Sequence, residues 1–94
     1  MSQESSRQGQ PAESARRPAY TPTQGQYLAF IYYYTKLNGV PPAERDMQMY
    51  FRTSPPAVHQ MVMTLDRNGW IQRIPGQAQS IRLVVSRQEI PDLE

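Results

Sequence analysis

Residues 54–73 read SPPAVHQMVMTLDRNGWIQR, and their hydrophobic period changes halfway along. Ser54-Pro55 is a helix start. The serine hydroxyl can satisfy an orphan backbone N–H, and a first-turn proline gives up an N–H that would have no partner anyway. Val58, Met61, Val62 and Leu65 then recur at i, i+3, i+4 and i+7, which is one face of an α-helix. Asn68-Gly69 stops that helix, because glycine enters the left-handed region without steric cost. From Trp70 the period falls to two. Trp70-Ile71-Gln72-Arg73 reads as a strand and Pro75-Gly76-Gln77 as a turn. Ser80 to Val85 reads as the returning strand, with Ile81, Leu83 and Val85 alternating with Arg82 and Val84.

Upstream, Thr21-Pro22-Thr23-Gln24 repeats the start signal, with a Thr cap, an early proline and Gln three residues after the cap. The helix it opens runs to about Leu37 and ends at Asn38-Gly39, with Tyr27, Leu28, Ile31, Tyr34 and Thr35 predicted to face the core. Tyr32 and Tyr33 point elsewhere and are expected to be half exposed. Six tyrosines invite a base-stacking role, but in a small helical domain they read first as packing. Val40-Pro41-Pro42 forbids helix continuation. A short helix over Ala43–Phe51 follows, with Met47, Tyr50 and Phe51 on one face, and Arg52-Thr53 makes a tight turn. Two helices across that turn, followed at once by a hairpin, predict a small α+β winged helix-turn-helix of three helices plus a two-stranded β-hairpin wing.

The predicted domain covers residues 20–85. Residues 1–19 are built of Ser, Gln, Glu, Pro, Arg and Ala, with no large apolar residue after Met1. Such a segment buries too little to offset its chain entropy and is expected to be disordered. Residues 86–94 are expected to be a flexible tail.

The absence of cysteine excludes disulfides and thiolate chemistry, and the lone His59 excludes a histidine-rich metal site, so no cofactor is expected. The longest apolar run, Tyr27 to Tyr34, is far below the roughly 20 residues of a bilayer span. Met1 to Arg17 is polar throughout and carries no secretion signal, so a soluble cytoplasmic protein with no membrane partner is expected. Residues 52–87 carry Arg52, Arg67, Arg73, Arg82 and Arg87 against Asp66 alone, in a chain of net charge +2. Arginine is suited to bidentate contact with phosphate and guanine. Glu44 and Asp46, two residues apart on a short helix, do not face one another, and no enzymatic constellation is visible.

Gly39-Val40-Pro41-Pro42, Ser54-Pro55, Leu65-Asp66-Arg67-Asn68-Gly69-Trp70-Ile71 and Ser80-Ile81-Arg82-Leu83 occur in an order and spacing that resemble the N-terminal DNA-binding domain of the LexA repressor family. The resemblance covers roughly residues 21–85 and implies a third helix lying in the major groove of double-stranded DNA. This chain departs from the family in three respects. The self-cleaving domain with its Ser–Lys dyad is not in it, and the single lysine, Lys36, lies in the first helix, so control by cleavage does not carry over. The turn before Ser54 is one residue shorter than the family pattern. Positions that hold an Asn and two Glu in the best-known members hold Pro56, His59 and Gln60 here, which implies a different operator.

With Val58, Met61, Val62 and Leu65 inward, the predicted base-reading set is Pro56, Ala57, His59, Gln60, Met63 and Thr64. Gln60 can pair with adenine, His59 with guanine, and Pro56 and Ala57 can touch a thymine methyl. Arg52, Thr53, Ser54, Arg73, Gln77, Gln79, Ser80 and Arg82 form the predicted backbone-contacting set around the turn and wing. Arg67 suits either a phosphate or its own helix C-terminus. Without the family's dimerising domain, a second copy is expected to join only weakly, on a two-fold DNA site. A winged helix that docks on a protein is the alternative, and a steep fall of binding with salt separates the two.

Overall fold

The computed structural model describes residues 17–94. Helix α1 spans Pro22–Asn38, α2 Glu44–Phe51 and α3 Pro55–Arg67, and strands β1 (Ile71–Gln72) and β2 (Arg82–Leu83) pair antiparallel. No helix among the described residues is long and apolar enough to cross a membrane.

Each helix boundary has a local chemical cause. At the start of α1, Gln24 N–H donates to the Thr21 hydroxyl at 3.1 Å while the Gln24 side-chain oxygen accepts from Thr21 N–H at 3.0 Å. Gly39, at φ 76°, ends the helix in the left-handed region. At the start of α2 the Asp46 carboxylate accepts from Ala43 N–H at 2.8 Å. Ser54 caps α3 by accepting from Ala57 N–H. Gly69 (φ 84°) closes α3, with Gly69 N–H bonded to Asp66 O and Trp70 N–H to Leu65 O. That double bond is the Schellman closure, and it turns the chain directly from the helix into the wing.

The core gathers Tyr27, Leu28, Phe30 and Ile31 of α1, Met47 of α2, and Val58, Val62 and Leu65 of α3 around Trp70, Ile71, Ile81 and Ile90. Helix α1 is central and buries every residue from Tyr27 to Ile31. Phe30 lies off the predicted stripe because α2 covers that side as well. Its ring sits 4.7 Å from Tyr50 and 5.7 Å from Phe51, while Phe51 stacks on Tyr27 at 4.1 Å. Tyr34, predicted to face the core, is only half-buried. Burial, helped by the nearby Asp46 carboxylate, pushes its phenol above the ordinary value.

Three expectations need correction. Residues 17–19 of the segment expected to be disordered are placed on the domain: Arg17 Nε donates to Gly69 O at 3.1 Å and Trp70 Nε1 donates to Pro18 O at 3.1 Å. The rest of that expectation falls on residues 1–16, which lie outside the described residues. The predicted tail is not a tail. Ile90 is 5% exposed, Tyr20 Oη donates to Glu89 O at 3.1 Å, and Gln26 bonds both Asp92 O and Glu94 N–H. Arg87 adds a bond to Tyr33 Oη at 2.8 Å and an ion pair with Asp92. One apolar anchor among polar residues has no periodicity to reveal it. Finally, the strands are shorter than predicted, because a side chain takes over from the ladder. Ile74 N–H donates to Ser80 Oγ at 2.9 Å, and that hydroxyl donates to Gln77 O at 2.9 Å.

Gly25 shows how closely the C-terminal segment sits on α1. A Cβ there would lie 2.8 Å from Tyr20 Cε1 and 3.0 Å from Pro91 Cγ. The Tyr20 ring cannot swing away, since it packs edge-on against Trp70 at 5.1 Å and bonds Glu89 O. Alanine favours a helix by about 1 kcal/mol over glycine, but overpacking costs about 1–3 kcal/mol. Gly25→Ala is therefore expected to lower the thermal midpoint, and a calorimetric scan reads the sign directly.

Candidate nucleic-acid interface

Helix α3 is two-faced. Val58, Val62 and Leu65 are buried, whereas Pro56, Ala57, His59 and Gln60 are exposed and Met63 is 38% exposed. The predicted base-reading residues thus share one open face over the first turns, except Thr64, which is half-buried. The hydroxyl oxygen of Ser54 is occupied by Ala57 N–H at 3.3 Å, but its own hydrogen can still be donated outward.

Two side chains on that face are held from the protein side. His59, with its side chain 56% exposed, places Nδ1 3.2 and 3.3 Å from the two carboxylate oxygens of Glu44 in α2. The Met63 sulfur accepts from Arg73 Nη2 at 2.9 Å. Gln60 makes no hydrogen bond to another described side chain, so its amide is open to solvent on this face.

Arg52 ends α2 at φ 54° and is exposed, with its N–H bonded to Gln48 O. A left-handed conformation costs an L-residue roughly 1–2 kcal/mol and ordinarily selects glycine. Among the described residues, its guanidinium bonds nothing. Thr53, half-buried, bonds Gln48 O through its own N–H at 3.2 Å.

The wing departs from expectation at Arg73. Its side chain is only 15% exposed and is drawn back onto α3, with Nε 3.3 Å from Asp66 Oδ2. Asp66 is the lone acid of the arginine-rich segment, and with Met63 it takes up the guanidinium that was expected to point outward. Ser80 is likewise turned inward to tie the loop together. Arg82 remains exposed beside its cross-strand partner Gln72, whose side-chain oxygen accepts from Nη2 at 3.2 Å. Gln79, at φ 56°, reaches Pro41 O at 3.4 Å and so pins the wing loop to the link between α1 and α2, while Gln77 is exposed. Between the loop and the helices lies a cleft of about 310 Å³ lined by Glu44, His59, Arg73, Gly76, Gln79 and Ile81.

Glu44 was not legible as a site residue. Its only sequence-level neighbour was Asp46, and nothing local shows that it meets His59, fifteen positions on. Asp66 was counted as a charge and not as the partner that removes Arg73 from the surface.

Among the described residues, three α-helices, two of them across a short turn, with a hairpin packed behind the third, define a winged helix-turn-helix domain. Residues 18–80 match the LexA DNA binding domain family, and the chain belongs to it. It is 36% identical to the LexA repressor of Thermosipho melanesiensis over 70 residues, which are 74% of this chain and 35% of that protein. It is 38% identical to the LexA repressor of Thermosipho africanus over 64 residues, 68% of this chain and 32% of that one. The LexA repressor of Bartonella quintana is 32% identical over 62 residues, 65% of this chain and 26% of its own length. The chain spans between 26% and 35% of the length of these curated relatives.

Proposed function

We propose that this domain binds double-stranded DNA sequence-specifically and acts in the bacterial cytoplasm as a transcription regulator, with α3 in the major groove and the wing beside the phosphates. The observation that carries this reading is the division of α3. One face packs into the core through Val58, Val62 and Leu65, with Met61 half-buried beside them, and the other presents His59 and Gln60 at the N-terminal end, where a recognition helix meets base edges. Gln60 supplies the bidentate donor and acceptor pair that adenine requires. Arg52 and Arg82, both exposed, supply sequence-independent affinity, while Arg73 supports α3 and does not itself touch the backbone. Two copies on a two-fold site place their helices about 10 bp apart or a multiple of that.

The test starts from a site selected from randomised duplex DNA. Gln60→Ala is expected to cost about 1–3 kcal/mol on that site, to relax preference at one base pair and to spare non-specific binding. Arg82→Ala and Arg52→Gly are expected to weaken binding to every sequence and to make the salt slope shallower by about one unit each. Arg52→Gly should also raise the thermal midpoint, because it relieves the left-handed turn. Equal losses on specific and random DNA for Gln60→Ala would remove α3 as the reading element and favour a protein-docking surface.

A further inference from the structure

His59 sits on the exposed face of α3, and Glu44 reaches it from the first turn of α2. An ionised carboxylate has no proton to give and can only accept. With both Glu44 oxygens within 3.3 Å of Nδ1, this contact is a hydrogen bond only when the ring carries a proton on Nδ1, which in a neutral His59 places the single ring proton there. Nε2, across the ring, is left with its lone pair and is directed away from the carboxylate. The other charged group in the cleft beside the ring is Arg73, and its guanidinium is committed to Asp66 and Met63. Nothing else on α3 or the wing competes for Nδ1 among the described residues.

From this geometry we propose that Glu44 is a positioning residue for sequence reading: it fixes the tautomer of His59 so that Nε2 meets DNA as a hydrogen-bond acceptor. In the major groove the donors are the exocyclic amines, N6 of adenine and N4 of cytosine, whereas guanine and thymine offer acceptors there. The dyad thus selects an amine-bearing base on the strand that α3 faces, and opposes the guanine contact that histidine alone would suggest. A second-layer carboxylate that sets an imidazole's orientation and tautomer is established chemistry for metal-bound and catalytic histidines. Here the same arrangement serves base choice. The inference rests on the reading of α3 as the base-contacting helix.

The test has two arms. In the first, long-range ¹⁵N–¹H spectra of the DNA-free protein at pH 8 locate the ring proton. Wild type is expected to carry it on Nδ1, and Glu44→Ala to move a large fraction to Nε2. A wild-type proton on Nε2 overturns the proposal without any DNA present. In the second arm, His59→Ala identifies the base pair of a selected duplex whose preference His59 controls. Wild type should prefer adenine or cytosine there and lose about tenfold in affinity when the amine is deleted, using purine for adenine or pyrimidin-2-one for cytosine. Glu44→Ala should shrink that tenfold to near unity while binding random duplex at least as well, since it removes a negative charge. Preference for guanine or thymine at that pair, or full discrimination retained by Glu44→Ala, overturns the proposal. If neither His59→Ala nor Gln60→Ala alters preference at any base pair, the reading of α3 fails instead, and the spectra still report whether the dyad holds the tautomer.

Discussion

Ile90→Ala is expected to lower the thermal midpoint by roughly 10–40 °C, a large effect for a single substitution. Ile90 is 5% exposed and belongs to the same core as Leu28 and Trp70. Truncating a buried isoleucine costs about 2–5 kcal/mol, the spread depending on how far the site can collapse. In a domain of this size each kcal/mol corresponds to roughly 4–8 °C. The site cannot collapse freely, because the segment on either side is tied down. Tyr20 bonds Glu89, Tyr50 bonds Glu94 O at 3.0 Å, and Gln26 bonds Asp92 and Glu94. Thermal denaturation followed by circular dichroism measures the loss. A shift below about 3 °C would mean that the segment contributes hydrogen bonds at the surface and little burial.

What could be read from the sequence follows one physical division. Helix caps, helix stops and stripe periodicity are settled by neighbours within four residues, so Thr21, Gly39, Ser54 and Gly69 could be assigned without knowing the fold. The alternation of Ile81 and Leu83 with Arg82 and Val84 likewise survives in the observed burial. Ile90, Arg17 and Pro18 escaped because their partners lie far along the chain. The Arg17–Gly69 and Pro18–Trp70 bonds each span 52 positions. The site shows the same division. The open face of α3 follows from its stripe, but the engagement of Arg73 by Asp66 and Met63, and of His59 by Glu44, depends on tertiary placement.

That division bears on function. Counting arginines between residues 52 and 87 treats them alike, yet the fold distributes them into separate tasks. Arg87 is taken up by Tyr33 and Asp92, Arg73 braces α3 against the wing, and Arg52, Arg67 and Arg82 stay at the surface. Fewer cations therefore face outward than the composition suggests. The salt dependence of binding, which follows the number of phosphates neutralised, should be correspondingly modest for one copy. On the proposed reading, specificity would rest on a small set of side chains, and holding His59 and Met63 in place before DNA arrives would limit the entropy lost on binding.

Trp70→Ala is expected to cost about 3–5 kcal/mol, the usual penalty for deleting a buried aromatic, and to consume about a fifth or more of the stability of an ordinary small domain. Trp70 is 7% exposed and joins three parts of the chain, the end of α3, the returning strand and the segment before α1. Its N–H bonds Leu65 O in the closure of α3, and its carbonyl accepts from Val84 N–H at 3.0 Å beside the β1–β2 ladder. Its ring takes Tyr20 edge-on at 5.1 Å and the Arg17 guanidinium at 5.0 Å, and its indole N–H bonds Pro18 O. The backbone bonds survive the substitution, while the ring contacts and the volume do not. The wing then loses its packing against the helices, so binding to all duplexes should weaken together with stability. Trp70→Phe separates these effects: it keeps most of the apolar volume, drops the bond to Pro18, and should cost only about 1–2 kcal/mol. Guanidinium titrations of the three proteins, read by far-ultraviolet circular dichroism, give the ranking. A Trp70→Ala midpoint within error of wild type would show that the wing is keyed to the helices through Ile71 and Ile81 alone.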